Sequence, residues 1–238
     1  MLALLVGTAQ AGNSVPIRYP DSAWDPRVLT TLQKGPLYLG TEVEFNLPAP
    51  PANDSATTRQ ELETLREYQK HGRSQEQIEK IYAEAAAGEF SEIYLEGGPF
   101  TPAMKRAAAH VLKMADHESQ YFIIRDKHRF ARPRPSQLAT DLTLVVDNPG
   151  HAAYPSGHAT QSMLMSLIAA EIDPAHAEEY ERYAKSIAQR REIAGVHYPS
   201  DSEAGQLLAK RLLPALMNVP DFKEALTEAQ NQFRSLSQ

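Results

Sequence analysis

Three short segments of this 238-residue chain combine cations or histidines with residues that end helices: Lys127–Pro135 (KHRFARPRP), Tyr154–His158 (YPSGH) and Arg191–Asp201 (REIAGVHYPSD). Fixed positive charge, free backbone N–H groups and an imidazole in one place make a pocket for a phosphate-like anion. The imidazole there can attack the anion or carry a proton to it.

Each segment has a chemical reading and a structural one. Pro155 and Gly157 bracket a turn, and MLMSLIAA follows with helical spacing. The segment is therefore expected to open a helix whose N-terminal end favours an anion. Ser156 adds a hydroxyl, Gly157 permits close backbone approach and His158 offers a titratable proton; the same residues also make a plain N-cap. From Glu178 to Ala194 the pattern is helical and Gly195 is placed to stop it, which puts Arg191 in the last turn and His197 in the loop beyond. Ser200 and Glu203 read as a capping box for the next helix, with Asp201 in its first turn and within reach of His197. A carboxylate on one ring nitrogen fixes the tautomer and frees the other nitrogen for attack. As plain structure, Arg191 and Asp201 complement two helix dipoles. Lys127 and Arg134 are expected to converge from a helix end and the following loop, because Pro133 and Pro135 end the helix nearby. Against this stand a solvated basic face, with Arg125, His128, Arg129 and Arg132 around them, and a shifted register in which Arg125 and Arg132-Pro133 take their places.

In order and spacing the three segments resemble the signature of the type 2 phosphatidic acid phosphatase superfamily: Lys-x6-Arg-Pro, Pro-Ser-Gly-His and Ser-Arg-x5-His-x3-Asp. The match runs through Lys127, Arg134, Pro135, Pro155, Ser156, Gly157, His158, Arg191, His197 and Asp201, and departs at Arg190, where the pattern has serine. That departure sets a bulky cation beside the expected pocket. Soluble members include bacterial class A non-specific acid phosphatases and vanadium-dependent haloperoxidases. The resemblance implies a helical fold, with His197 as nucleophile oriented by Asp201, and His158 as general acid and then base. Lys127, Arg134, Arg191, Ser156 and the Gly157 N–H would hold the phosphoryl oxygens. It also implies hydrolysis of small phosphate monoesters through a phosphohistidine, with inorganic phosphate as product, no required cofactor and no metal. Vanadate is expected to inhibit or to act as a surrogate cofactor. A protonated His158 places activity at mildly acid pH. Alternatives within the superfamily are a vanadate-dependent haloperoxidase, though those chains are much longer, and a phosphatase of lipid phosphates or pyrophosphate.

The elements that must position these residues read as an all-α, single-domain helical bundle. Thr58 with Glu61 and Ser74 with Gln77 read as capping boxes, and Thr101-Pro102, Asp173-Pro174 and Pro220-Asp221 as helix starts. Ile78, Ile81 and Tyr82 share a face of the helix after Ser74, and LTLVVD at 142–147 is the one candidate strand. Residues 12–57 form a proline-rich arm expected to wrap over a helical phosphatase domain at 58–238. MLALLVGTAQA at the start, ending in Ala-x-Ala, reads as a truncated signal peptide or a loosely packed terminus. The former implies a periplasmic or secreted protein.

Composition sets the bounds. Hydrophobic residues are 42% and charged residues 23%, as in globular chains, and no apolar run reaches the roughly 20 residues that span a bilayer. A net charge of −6 with no basic stripe argues against nucleic acid as a partner. The absence of cysteine removes disulfides and thiolate chemistry. His151 is a candidate for the pocket rim, whereas His71, His110, His117, His128 and His176 read as surface or capping residues. No metal-ligand spacing stands out, and a homo-oligomer is compatible with the reading.

Overall fold

The computed structural model describes residues 17–86 and 88–237, so the expected signal segment lies outside the described residues. The architecture is all-helical, with no strand among the described residues: α1 (Pro26–Lys34), α2 (Ala56–Glu67), α3 (Gln75–Glu84), α4 (Phe90–Gly97), α5 (Pro102–Phe130), α6 (Pro135–Leu138), α7 (Gly157–Ile172), α8 (Ala177–Ile193), α9 (Pro199–Leu216) and α10 (Pro220–Leu236).

The centre is α7, apolar nearly all round, with Met163, Leu164, Met165, Ile168 and Ala169 inaccessible to solvent. A helix with this composition is stable only when surrounded, and α5, α8 and α9 surround it, while α10 packs along α5. The long α5 starts where Thr101 caps the Met104 N–H at 3.1 Å with Pro102 in the first helical position. It stops at Ala131, which takes a left-handed conformation (φ 47°, ψ 42°), with Pro133 following.

Gly205 lets α9 lie close against the start of α7. A Cβ there would lie 2.6 Å from the Ser156 carbonyl oxygen and 3.1 Å from the Thr160 nitrogen. One turn earlier, the Ser156 N–H donates to the Asp201 carbonyl at 2.9 Å. The starts of the two helices are thereby fastened together.

Residues 17–55 run over the bundle. Glu118 of α5, fully buried, accepts the N–H groups of Leu37, Tyr38 and Leu39 at 2.6–3.1 Å. Arg211 of α9 donates to the carbonyls of Phe45 and Asn46, and Tyr154 to that of Pro48.

Several local expectations are corrected. The arm holds a helix of its own, α1, capped by Asp25 ahead of Pro26. Ser55 rather than Thr58 caps α2, and Glu61 is turned inward. Tyr198 is the N-cap of α9 and Asp201, not Glu203, is its capping acid, accepting the Tyr198 N–H at 3.0 Å. Asp173-Pro174 begins a single 3-10 turn before α8. LTLVVD forms no strand because no second strand lies beside it; its backbone is held by Gln69, Arg73 and the Ala194 carbonyl.

Candidate active site

His197 follows α8 after Gly195, whose φ of +83° turns the chain back toward the core. Its Nδ1 lies 3.0 Å from Asp201 Oδ2 and its Nε2 3.1 Å from Arg134 Nη1. A carboxylate only accepts, so Nδ1 carries the hydrogen and Nε2 keeps its lone pair. Asp201 is saturated: Oδ2 also takes the Tyr198 N–H, and Oδ1 takes Arg132 Nη1 at 2.6 Å.

Behind this pair, Arg132 continues to Glu61 Oε2 at 3.0 Å and to Ser200 Oγ at 2.8 Å, and Glu61 Oε1 accepts the Ser200 N–H. The guanidinium carbon lies over the Tyr198 ring, 3.8 Å from its centroid. The buried array His197–Asp201–Arg132–Glu61 was only half visible in sequence, where Glu61 read as a capping residue and Arg132 as an alternative register. Arg134 lies against His197 while Arg132 lies against Asp201, and Arg125 turns to the Val43 carbonyl in the arm.

Lys127, on the last turns of α5, donates to the carbonyls of Ala152 and Ala153 at 2.9 and 3.0 Å. An ammonium has three hydrogens, so one remains for an anion. Arg134 also donates to the Val196 and His151 carbonyls. Arg191 is buried, and among the described residues its Nε and Nη1 have no hydrogen-bond partner.

Lys127, His151, Gly157, His158, Arg191 and His197 line a cavity of about 1190 Å³. Asp25 and Arg27 of α1 and Tyr82 of α3 complete its walls, contributions no local sequence signal revealed. Ser156 and Arg134 are not among its lining residues; the Ser156 hydroxyl caps the Ala159 N–H. Gly157 has room for a Cβ at ordinary contact distances, so no steric demand for glycine exists there. Arg190 is not among the residues that line this cavity; it lines a separate hollow with Lys80 and Tyr183, rather than the pocket its place in the motif puts it beside.

The electrostatics are those of an anion site. Burial, reinforced by Arg134 and Arg191, holds Lys127 well below its usual range, although Asp201 opposes the shift. Burial brings Arg134 and Arg191 down to about 10. Burial, with the same cations, holds His197 and His151 well below the usual imidazole range and brings His158 to about 3. In the free site these shifts favour a neutral His158 at mildly acid pH, whereas the sequence reading has it protonated for the reaction. Among the described residues no group of three or more His, Asp and Glu side chains could hold a metal ion, and no helix is long and apolar enough to cross a membrane.

A family model described as the PAP2 superfamily matches residues 114–224. The non-specific acid phosphatase of Salmonella typhi is 25% identical over 206 residues, covering 79% of each chain. The acid phosphatase of Zymomonas mobilis is 30% identical over 129 residues, 52% of this chain and 48% of the relative. Among solved structures, a bacterial vanadium-dependent iodoperoxidase has a TM-score of 0.56 at 19% identity over 83% of this chain, and a bacterial vanadium-dependent chloroperoxidase 0.61 at 12% over 85%. This chain covers 55% of each of those two, and the likeness is one of fold.

Proposed function

We propose that this chain, whose residues 114–224 match the PAP2 superfamily model and which is 25% identical to non-specific acid phosphatases, is an acid phosphatase of that superfamily that hydrolyses phosphate monoesters through a phosphohistidine on His197. The observation that carries the reading is the pair of bonds on that ring. Asp201 takes the Nδ1 hydrogen at 3.0 Å and leaves the Nε2 lone pair beside the Arg134 guanidinium, and His197 lines the cavity together with Lys127 and Arg191.

In the proposed reaction the phosphoryl oxygens take the free hydrogen of Lys127, the unpartnered donors of Arg191 and the N–H groups at the start of α7, and compete for Arg134 Nη1. Phosphoryl transfer needs mainly positioning and stabilisation of charge on these oxygens. Nε2 of His197 forms the P–N bond as the P–O bond breaks, and His158 gives the leaving oxygen a proton. The imidazole then takes a proton from water as the water oxygen attacks phosphorus, and His197 is released. Three buried cations supply the charge, so the reading requires no metal. The same donors suit vanadate, which takes the five-coordinate shape of the transition state and is proposed to inhibit. In this reading the protein acts in the periplasm or outside the cell.

The test is hydrolysis of para-nitrophenyl phosphate from pH 4 to 9 with EDTA, for wild type and His197→Ala, with acid quenching to trap an acid-labile phosphoenzyme. Turnover with a phosphoenzyme that the variant lacks is the expected result. Turnover that survives His197→Ala, or that EDTA abolishes, overturns the mechanism.

A further inference from the structure

Arg190 stands where the superfamily motif has serine, and its partner lies outside the anion cavity. Its Nε donates to Glu84 Oε1 at 2.7 Å, and Nη2 is 2.6 Å from the same oxygen. Both residues are buried, at 4% and 7% exposure. Glu84 is the last residue of α3, so its carbonyl has no intrahelical donor. That carbonyl lies 3.0 Å from His158 Nε2. A carbonyl only accepts, so Nε2 carries hydrogen and Nδ1 holds the lone pair of the neutral ring. Phe90, the first residue of α4, meets the imidazole edge to face with 4.9 Å between centroids, closing another side of it.

We propose that Arg190 and Glu84 are a positioning pair for His158: their ion pair ties the last turn of α3 to α8, holds the Glu84 carbonyl on Nε2, and reserves Nδ1 for proton transfer. The proton-transfer half rests on the phosphatase reading; the tautomer half does not. In the first step Nδ1, having taken the proton of the bound monoanionic ester, passes it to the bridging oxygen while that oxygen keeps the electron pair of the breaking P–O bond. In the second, Nδ1 takes a proton from water as the P–N bond gives way to P–O. A serine at position 190 has no charge with which to hold a buried carboxylate. Burial pushes the Glu84 carboxyl up and Arg190 pulls it back, so the two residues depend on each other.

The experiment compares Arg190→Ser, Arg190→Lys, Glu84→Gln, His158→Ala and the double variant His158→Ala/Arg190→Ser. The substrates are 2,4-dinitrophenyl phosphate, whose leaving group needs no proton, and glycerol 2-phosphate, whose leaving group does. Since a placed general acid contributes on the order of 10²–10⁴-fold, Arg190→Ser and Glu84→Gln are expected to lose about 10- to 100-fold in kcat on the alkyl ester, and only about threefold on the dinitrophenyl ester. Arg190→Lys restores most of the loss, and the double variant is no slower than His158→Ala.

Ring ¹⁵N spectra read the tautomer without turnover and report whether each variant is folded. They should show Nε2–H on His158 in the wild type and a mixture in Arg190→Ser. Equal losses on both substrates, additive losses in the double variant, or an Nδ1–H tautomer in the wild type overturns the proposal. A wild type that hydrolyses neither ester overturns the phosphatase reading and the proton-transfer half with it, while the ring spectra still decide the tautomer half.

Discussion

Arg132 Nη1 lies 2.6 Å from Asp201 Oδ1, so the carboxylate that orients His197 is itself held by a buried cation. The same guanidinium reaches Glu61 at 3.0 Å, and Arg132, Asp201 and Glu61 are all buried. Removing the arginine leaves two carboxylates without their counter-charge inside the protein, which costs about 3–5 kcal/mol. Arg132→Ala should therefore lower the melting temperature by roughly 6–20 °C, at about 2–4 °C per kcal/mol for a chain of this size. Arg132→Lys keeps the charge but loses the planar fork that serves Asp201, Glu61 and Ser200 together. It should retain most of the stability and lose roughly tenfold in kcat, since a residue that acts only through Asp201 costs less than the roughly 10⁴-fold loss of an orienting carboxylate. Calorimetry beside steady-state kinetics separates the two; a lysine variant with full kcat would show that Asp201 needs only a nearby charge.

Gly205 gives the second prediction. A methyl group there would meet the Ser156 carbonyl oxygen at 2.6 Å, closer than real Cβ contacts come. The clash involves backbone, so relief requires α7 to move away from α9. Overpacking of this kind costs about 1–3 kcal/mol. Gly205→Ala should lower the melting temperature by roughly 2–12 °C and also reduce kcat, because α7 carries Gly157 and His158 while α9 carries Asp201. An alanine variant as active and as stable as wild type would mean that the helix starts can separate without disturbing the site.

Those two residues show where sequence reading stops. The N-cap Ser156, the stop at Gly195 and the Thr101-Pro102 start act within four residues of themselves, so the helices that carry the three motifs were legible from spacing alone. Glu61 has a capping spacing from Thr58, yet Ser55 performs that task, and Glu61 is left to meet Arg132, 71 positions away. Nothing local distinguishes that pairing from a cap. Arg132-Pro133 and Arg134-Pro135 are equivalent as text; only the turn at Ala131 sends one guanidinium to His197 and the other behind it. The α1 and α3 sides of the cavity come from topology, and the Glu84 carbonyl on His158 is a main-chain group that no residue type announces.

With His158 near 3 in the free protein, held there by burial and by Arg191, Lys127 and Arg134, the proposed reaction draws the leaving-group proton from the substrate. Below about pH 6 a phosphate monoester carries one proton and is a monoanion. Productive encounter pairs neutral His158 with the monoanionic ester, so kcat/KM should be level from about pH 4 to 5.5. Above about pH 6 it should fall tenfold per unit as the ester loses its proton, because kcat/KM reports ionisations of the free reactants. Substrates whose second pKa differs should move the break by the same amount. A break that stays put when the substrate pKa changes would assign it to a group on the protein.

The same electrostatics make anion binding a proton-linked event. In the free site the cations and burial disfavour charge on His158, His197 and His151. A bound oxyanion neutralises Lys127, Arg134 and Arg191, and the imidazole pKa beside it rises. Orthophosphate at pH 5.5 is mostly monoanion and brings the proton with it, whereas at pH 7.5 it is mostly dianion, and a proton should be taken from solution for each dianion bound. Calorimetric titration in buffers of differing ionisation enthalpy measures this directly: uptake should exceed half a proton at pH 7.5, approach one at higher pH and shrink toward pH 5.5. Apparent affinity should weaken about tenfold per pH unit above the phosphate pKa, because each binding event consumes a proton. Proton release at pH 7.5, or affinity that does not change with pH, would mean that the three cations bind the dianion without involving the imidazoles.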